Sequence, residues 1–436
     1  MPDTWQILAA LLVCAAALAV RALRTLRGPA PAPADAPPPR SARAPGEWAP
    51  EPFAYPPVAP CREALAAVKP VPYRPFKWGD YHVTMGIRSM PWDEWIELDR
   101  DFAHFHRIRA RRIETRGEKL VQVLPERPGL VKGGHDAAVE LVHELAEYLS
   151  RRFPDVYHVT RAAPGRSAAG WQGLPSIAEI TIVPLGKTYS LEDGDPLTVA
   201  SLLVQEDLAI MLEGTDGRYY LQGGAILIPG MWRLRDKIGM SLDDIHLSGT
   251  VPQFERKLQP SMARFFRRMP VARPVVRNNY SFQVVAPRAH ADAEDPDELA
   301  WARTMKGDED VAAGEPGFLR AEYPGVDGAH AAAHDLADCS APVDPSCVRL
   351  RVERQTLRRL PRTGAIVFTI RVYLTPLEEL VQEPDVPGRL ASAIRSWPED
   401  VARYKARSVF ESILGYLDAH HEEQVRSGLA TADGQK

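Results

Sequence analysis

Two stretches near the C-terminal end, VRLRVERQTLRRL at 348–360 and AIVFTIRVYL at 365–374, are separated only by Pro361-Arg362-Thr363-Gly364. In the second, Ile366, Phe368, Ile370, Val372 and Leu374 take alternate positions, the period of a strand with one buried face. In the first, Arg351, Glu353 and Gln355 share one face while Arg354, Thr356 and Arg358 share the other. The two pair as a hairpin. A strand charged on both faces and held beside a buried one is costly unless those charges are partnered or used.

The chain before the hairpin supplies the rest of a sheet. Gln205 to Glu213 and Tyr219 to Ile228 read as strands, and Thr215-Asp216-Gly217 gives the turn between them. Gly223 and Gly224 inside the second strand mark a bulge or a close approach of another group. Trp232 to Ile245 then has helix-like apolar spacing (Trp232, Leu234, Ile238, Leu242, Ile245). Ser241, with Asp244 three residues on, caps a second short helix, and His246 falls at its exit. Phe254–Met269 is amphipathic, and Val275–Val285 is a further strand. Upstream, the spacing predicts helices over 92–124, 137–153 and 196–203; downstream, over 388–396 and 399–423. Periodicity alone therefore gives an α+β class.

The 436 residues, 45% of them hydrophobic, are ample for a sizeable core. A net charge of -4 and a pI near 6.3 argue against a nucleic-acid-binding surface. The four cysteines form no CxxC pair, so neither zinc nor an iron–sulfur cluster is suggested. His104 and His106, His135 and His143, and His420 and His421 lack the i, i+4 spacing of helical zinc ligands and read as surface or packing groups. Residues 5–23, WQILAALLVCAAALAVRAL, read as an uncleaved membrane anchor. Arg21, Arg24 and Arg27 follow the run and place the folded part on the cytosolic side. Residues 28–60 are rich in Pro and Ala, the composition of a semi-extended tether. Residues 287–347 have little apolar period and read as a long, partly disordered acidic insertion.

The runs IPGMWRLRDKIG (228–239) and IHLSGTVP (245–252), together with RVERQTLRRLPRTGAIVFTIRVYL (351–374), resemble the haem-dependent oxidative N-demethylase family. HVTMGIRSM at 82–90 reads like the entry motif of that family, and the resemblance spans roughly 70–415. It implies a PAS-like antiparallel sheet that binds haem and oxidises small methylated amines. The domain plan becomes an anchor at 1–27, the tether at 28–60 and a helical N-terminal part at 61–195. A PAS-like haem-binding core at 196–380, which contains the insertion, and C-terminal helices at 381–436 complete it.

Within that resemblance His246 is the candidate iron ligand, neutral imidazole being a normal partner of haem iron; the alternative is a histidine favourably placed at a helix C-terminus. Trp232, Arg233 and Lys237 are candidates for packing the cofactor and pairing its propionates, with Gly223 and Gly224 allowing its approach. Arg354 is a further candidate cation. Glu353 and Gln355 are the candidate catalytic pair, a carboxylate able to hold an ammonium or move a proton; the other reading is an ion pair with Arg351, Arg371 or Arg277. Glu206-Asp207 and Asn278-Asn279 are further polar groups on the same strands. No GxGxxG fingerprint is present, so electrons come from a separate reductase. The second reading of function is a non-catalytic haem-binding sensor or carrier tethered to a membrane.

Overall fold

The hairpin lies in the middle of a seven-stranded antiparallel sheet. The computed structural model describes residues 43–163, 170–228, 233–284, 343–405 and 411–432. The chain divides into units 1–43 and 44–436, and the second carries every element that follows. The anchor expected at 5–23 lies outside the described residues, as does 285–342 of the acidic insertion; 343–347 ends in a short 3-10 turn, Pro345–Cys347. Among the described residues no helix is long and apolar enough to cross a membrane.

In chain order the strands are β1 (Arg88–Ser89), β2 (Val121–Val123), β3 (Tyr157–Arg161), β4 (Ile177–Ile182) and β5 (Lys187–Ser190). Then come β6 (Asp207–Glu213), β7 (Tyr219–Ala225), β8 (Val275–Val284), β9 (Val348–Arg359) and β10 (Ile366–Pro376). The large sheet has the order β1-β8-β9-β10-β6-β7-β2, and β3-β4-β5 form a second, three-stranded sheet. The helices before the core are α1 (Phe102–Arg116), α2 (His135–Arg152) and α3 (Pro196–Leu203). Between β7 and β8 lie α4 (Leu234–Lys237), α5 (Leu242–Ser248) and α6 (Gln259–Arg268), and after β10 come α7 (Leu377–Leu380), α8 (Val386–Arg395), α9 (Glu399–Tyr404) and α10 (Ser412–Arg426).

Register fixes what each face carries. Glu353 stands opposite Val372 and Asn279, and Gln355 opposite Ile370 and Arg277. With a side-chain period of two, Arg351, Glu353, Gln355 and Leu357 share a face with Arg277, Asn279, Phe368, Ala209 and Met211. Over this face pack Leu234 of α4, Phe254, Leu258, and Met262 and Phe266 of α6. The opposite face carries Leu208, Ile210 and Val367, buried with Leu141 and Leu145 of α2 and Leu197 of α3. Further along that face Leu350, Val352 and Tyr373 pack against Leu390 and Ile394 of α8 and Leu417 of α10.

Four expectations need correction. The single helix over 92–124 is instead a 3-10 turn at Trp92–Glu94, α1 and β2. Residues 97 and 99 leave the helix because their amide groups donate to the side chains of Glu206 and Gln205, each at 3.0 Å. The part at 61–195 is not purely helical, since it contains β3, β4 and β5, with Ile177, Ile180 and Ile182 buried. The 254–269 helix opens with a π turn at Phe254–Leu258.

The fourth concerns the tether. Residues 44–60 lie on the domain: Trp48 Nε1 donates to Pro361 O at 2.9 Å, and Tyr55 stacks on Trp171 with centroids 3.9 Å apart. Gly364, at φ +71° in the β9–β10 turn, leaves the space that Trp48 fills, where a Cβ would stand 2.3 Å from the indole. The Arg358 guanidinium, fully buried, is ringed by Trp92, Trp95, Tyr55 and Trp171 and paired with Glu144. Composition said tether; the aromatic residues within it make it a strap.

A buried polar cluster fastens residues 97–109 to β9, β10 and the start of β6. Glu97 pairs with Arg354, Asp99 with Arg371 at 2.5 Å, and Arg109 with Asp207 at 2.9 Å. Burial pushes the Glu206 carboxyl up to about 7.

Candidate functional site

His246 sits on α5, and the sequence places it there locally. Ser241 caps the helix by accepting the Asp244 amide at 3.2 Å, as its position predicts. One turn up, His246 Nδ1 lies 2.7 Å from Leu242 O, so the ring N–H is donated to that carbonyl and Nε2 keeps its lone pair. Among the described residues Nε2 makes no hydrogen bond. Burial holds the imidazole pKa below its ordinary value, and the Arg277 charge adds to this against the raising effect of the Leu242 bond. The ring lies flat on Phe254, centroids 4.7 Å apart at 11°.

The loop from α5 to Phe254 is strained. Thr250 and Gln253 have φ of +47° and +58°, a region costly to non-glycine residues and to a β-branched one above all. The π turn follows at once. Irregular backbone of this kind collects at functional sites.

Opposite α5 the sheet carries a polar row. Arg351 Nε donates to Glu353 Oε1 at 3.0 Å and Gln355 Nε2 to Oε2 at 2.9 Å. Arg351 also holds Gln283 Oε1 and Ile228 O. The Glu353 carboxylate favours the protonated forms of Arg277, Tyr404 and Lys405. Lys405 donates to Tyr280 O at the edge of β8, and burial brings its pKa down to about 8. Around this row Val83, Met85, Ile238, Leu242, Ile245, Val251 and Phe368 are only partly buried. Phe368 belongs to a central strand whose neighbours Ile366 and Ile370 are buried. Side chains so placed mark the space between the sheet and α5 as the candidate cleft.

A sequence model of the family described as haem-dependent oxidative N-demethylase, alpha subunit-like, matches residues 86–414, well over half of the chain. The chain belongs to this family. What the oxidative N-demethylase-like chain offers a haem can be tested on its residues. His246 presents a neutral nitrogen with its other N–H already fixed, the state an iron ligand requires. Arg277 Nε and Arg233 NH2 are among the arginine nitrogens that are buried without a hydrogen-bond partner among the described residues. Such orphans are what propionates would satisfy. The donor set fits. Among the described residues no three His, Cys, Asp or Glu side chains gather as a ligand set, and a haem held by one histidine would not need one.

The other candidates fall as follows. Arg233 is buried, with Nε 3.2 Å from Asp236. Lys237 Nζ donates to Ser248 Oγ at 2.7 Å. Trp232 lies outside the described residues. Gly224 is approached by Leu234, whose Cδ1 would lie 2.5 Å from an added Cβ, while Gly223 faces Ile210 and Leu197 on the other side. Arg354 is on the face away from His246, engaged with Glu97, Glu94 O and Trp95 O. The structure does not bring it to the cleft. Glu206 faces Glu97, and Asp207 is taken by Arg109. His106, 2.8 Å from Tyr189 OH, is a packing histidine whose pKa burial lowers to about 4.

Sequence reasoning did not single out Tyr81, Phe254, Tyr404 or Lys405, and named Arg277 only as a partner of Glu353. Arg277 had a signal: with Asn279 it alternates along β8 on the face of Gln355. The others come from separate segments with no shared motif.

Proposed function

We infer that this chain binds haem in the cleft between α5 and the sheet and oxidises the N-methyl group of a small amine. The observation that carries the reading is the His246 ring, with Nδ1–H committed to Leu242 O and Nε2 left as a lone-pair donor. The five strands β6 to β10, antiparallel and cupped against α4–α6, support the PAS-like description. The haem, when bound, supplies the oxygen-activating redox chemistry. In balance, one O2, two electrons and two protons convert the N-methyl amine to the shorter amine, formaldehyde and water. Those electrons come from a separate reductase.

The residues of the chain do the rest. His246 holds the cofactor from the α5 side, and Arg233 and Arg277 pair its carboxylates. Partly buried apolar residues such as Phe368 and Val251 exclude water. Glu353, its two oxygens each taking one bond from Arg351 and Gln355, retains acceptor positions for an ammonium. With Arg277 paired to a carboxylate of the cofactor, the Glu353 charge would be left to Arg351 and the substrate.

Addition of haem to the purified full-length chain should give a Soret band with one equivalent bound; no band would remove the reading. Glu353→Gln keeps the shape and removes the charge. A lost charge-assisted hydrogen bond, worth about 1.5–3 kcal/mol, should weaken binding of a small methylated amine by roughly one to two powers of ten at unchanged haem content. Unchanged amine affinity, with a lower melting temperature and poorer haem retention, would make Glu353 a structural partner of Arg351 instead. Residues 5–23 are proposed as the anchor on their apolar composition alone. Carbonate washing of membranes should leave the full-length chain in the pellet, and its release would overturn the anchor.

A further inference from the structure

The π turn and α6 carry an unusual surface. Arg256, Lys257, Arg264, Arg268 and Arg273 are exposed along 254–273, and Glu255 is the one acid exposed among them. Five cations against one acid stand out in a chain whose net charge is -4. None of the five forms an ion pair among the described residues, whereas Arg267 beside them pairs with Glu213 at 3.1 Å. Arg264 and Arg268 are one turn apart on α6, a like-charge spacing that destabilises a helix. The sequence keeps a local cost that folding does not require.

The place of this surface in the fold gives it a use. Phe254 opens the same π turn that carries Arg256 and Lys257, and its ring lies flat on His246. The inner side of the segment, through Phe254, Leu258, Met262 and Phe266, packs on the sheet face of the cleft. From the basic exterior to the candidate iron ligand the path is thus one turn of chain and one ring-to-ring contact. Electron transfer falls off steeply with distance, so a donor docked here is favourably placed.

We propose that the basic face of residues 256–273 is the electron-entry face, and that it docks an acidic one-electron carrier protein. The proposal rests on the haem reading given under Proposed function and names the partner of that same site. Each encounter would pass one electron from the reduced carrier to the haem site and leave the carrier oxidised; two encounters supply the two electrons that oxidation of one methyl group consumes. Opposite potentials across such a contact raise the association rate and make it strongly dependent on salt.

The test uses the full-length chain and, as probe, an acidic [2Fe–2S] ferredoxin kept reduced by its own reductase. Lys257→Glu, Arg264→Glu and Arg268→Glu are combined, with Arg62→Glu and Lys69→Glu as a control placed elsewhere on the exposed surface. Ferredoxin binding, followed by calorimetry at low salt with no turnover needed, should weaken at least tenfold in the triple variant and stay unchanged in the control. The rate of haem reduction by ferredoxin should fall in parallel and lose its salt dependence, while reduction by dithionite keeps the wild-type rate. Should the charge reversals perturb folding by circular dichroism, the pair Arg264→Gln and Arg268→Gln serves instead, with a smaller loss in the same direction. Equal ferredoxin binding and reduction in variant and wild type would overturn the docking face while leaving the haem reading intact. Binding of a short DNA duplex as tightly as ferredoxin would also overturn it, as a merely polyanion-binding patch. Failure of every form to take up haem would instead remove the parent reading.

Discussion

His246→Ala should lose the Soret band of the haem-loaded chain while far-ultraviolet circular dichroism stays that of the wild type. The imidazole is only partly buried and contributes one backbone hydrogen bond inside its own helix, so the fold survives its removal. The effect on the cofactor is large. Loss of an outer-shell partner alone costs a metal site roughly 10–100-fold in affinity, and removing the ligand itself costs at least that. Free imidazole, able to enter the vacated position, should restore part of the spectrum. The pH dependence follows from the same ring. Its pKa is held below the ordinary value of about 6.5 by burial and by Arg277. A group depressed in this way keeps its neutral, ligating form through neutral pH. Haem retention should therefore be flat above about pH 6.5 and fall on acidification below it. An unchanged spectrum in His246→Ala, followed by a scan from pH 8 to 5, would assign the iron to another residue.

The sequence carried the core of the fold because its signals there are local and of one period. The β9–β10 hairpin is legible from five alternating apolar residues, and the observed register pairs Ile366 with Arg359 through to Pro376 with Arg349. α3 coincides with its expected bounds, and the Ser241 cap falls where the spacing puts it. Where the reading failed, distant groups decided the conformation. Trp95, Leu98 and Phe102 have helical spacing, yet 95–101 is a loop, because Gln205 and Glu206 take the amide groups of 97 and 99. Residues 44–60 were misjudged by averaging: Pro and Ala dominate the count, but Trp48, Phe53 and Tyr55 settle the energetics by packing on Arg359, Trp92 and Trp171. β4 and β5 are short and interrupted by Val-Pro-Leu-Gly, which hides their alternation.

The site was legible in part for the same reason. Strand parity puts Glu353 and Gln355 on one face and the helix pattern puts His246 at an exit, both local features, while their candidate roles come from the family resemblance. The parity that put Glu353 on one face also put Arg354 on the other, and the structure keeps them apart. Tyr404 and Lys405 come within the electrostatic reach of Glu353, and Tyr81 within that of Arg277, from a C-terminal helix and an entry segment, a convergence that only tertiary structure creates. Glycine was the ambiguous signal. A Gly-Gly pair in a strand announces close approach without naming what approaches, and here Leu234 takes the place on the Gly224 side.

Asp207→Ala should cost about 3–5 kcal/mol of folding stability, the penalty for leaving one member of a buried ion pair alone. The pair is shut away from water, with the Arg109 and Asp207 side chains 0% and 3% exposed. Arg109 cannot shed its proton to escape the penalty. Its other bonds, to Ser201 O and Glu206 O, neutralise no charge. Asp207 has a second task, since its oxygens accept the Leu227 and Ile228 amides at 2.9 and 3.0 Å. Ile228 O in turn takes Arg351 NH2 at 3.0 Å, and Arg351 is the residue that holds Glu353. Asp207 is thus a positioning residue three contacts from Glu353. Asp207→Asn, which keeps an acceptor for the amides but not the charge, should lose stability while retaining amine affinity; Asp207→Ala should lose both. A partner change resolves the pair itself. Asp207→Leu combined with Arg109→Met removes both charges, and should recover more than half of the stability lost by Asp207→Leu alone. Urea unfolding of the wild type, Asp207→Ala, Asp207→Asn, Asp207→Leu, Arg109→Met and the double variant, with amine titrations on each, gives the comparison. Additive losses in the double variant would mean that the two side chains do not act as a pair, and equal amine affinity in Asp207→Ala would break the link from β6 through Ile228 to Glu353.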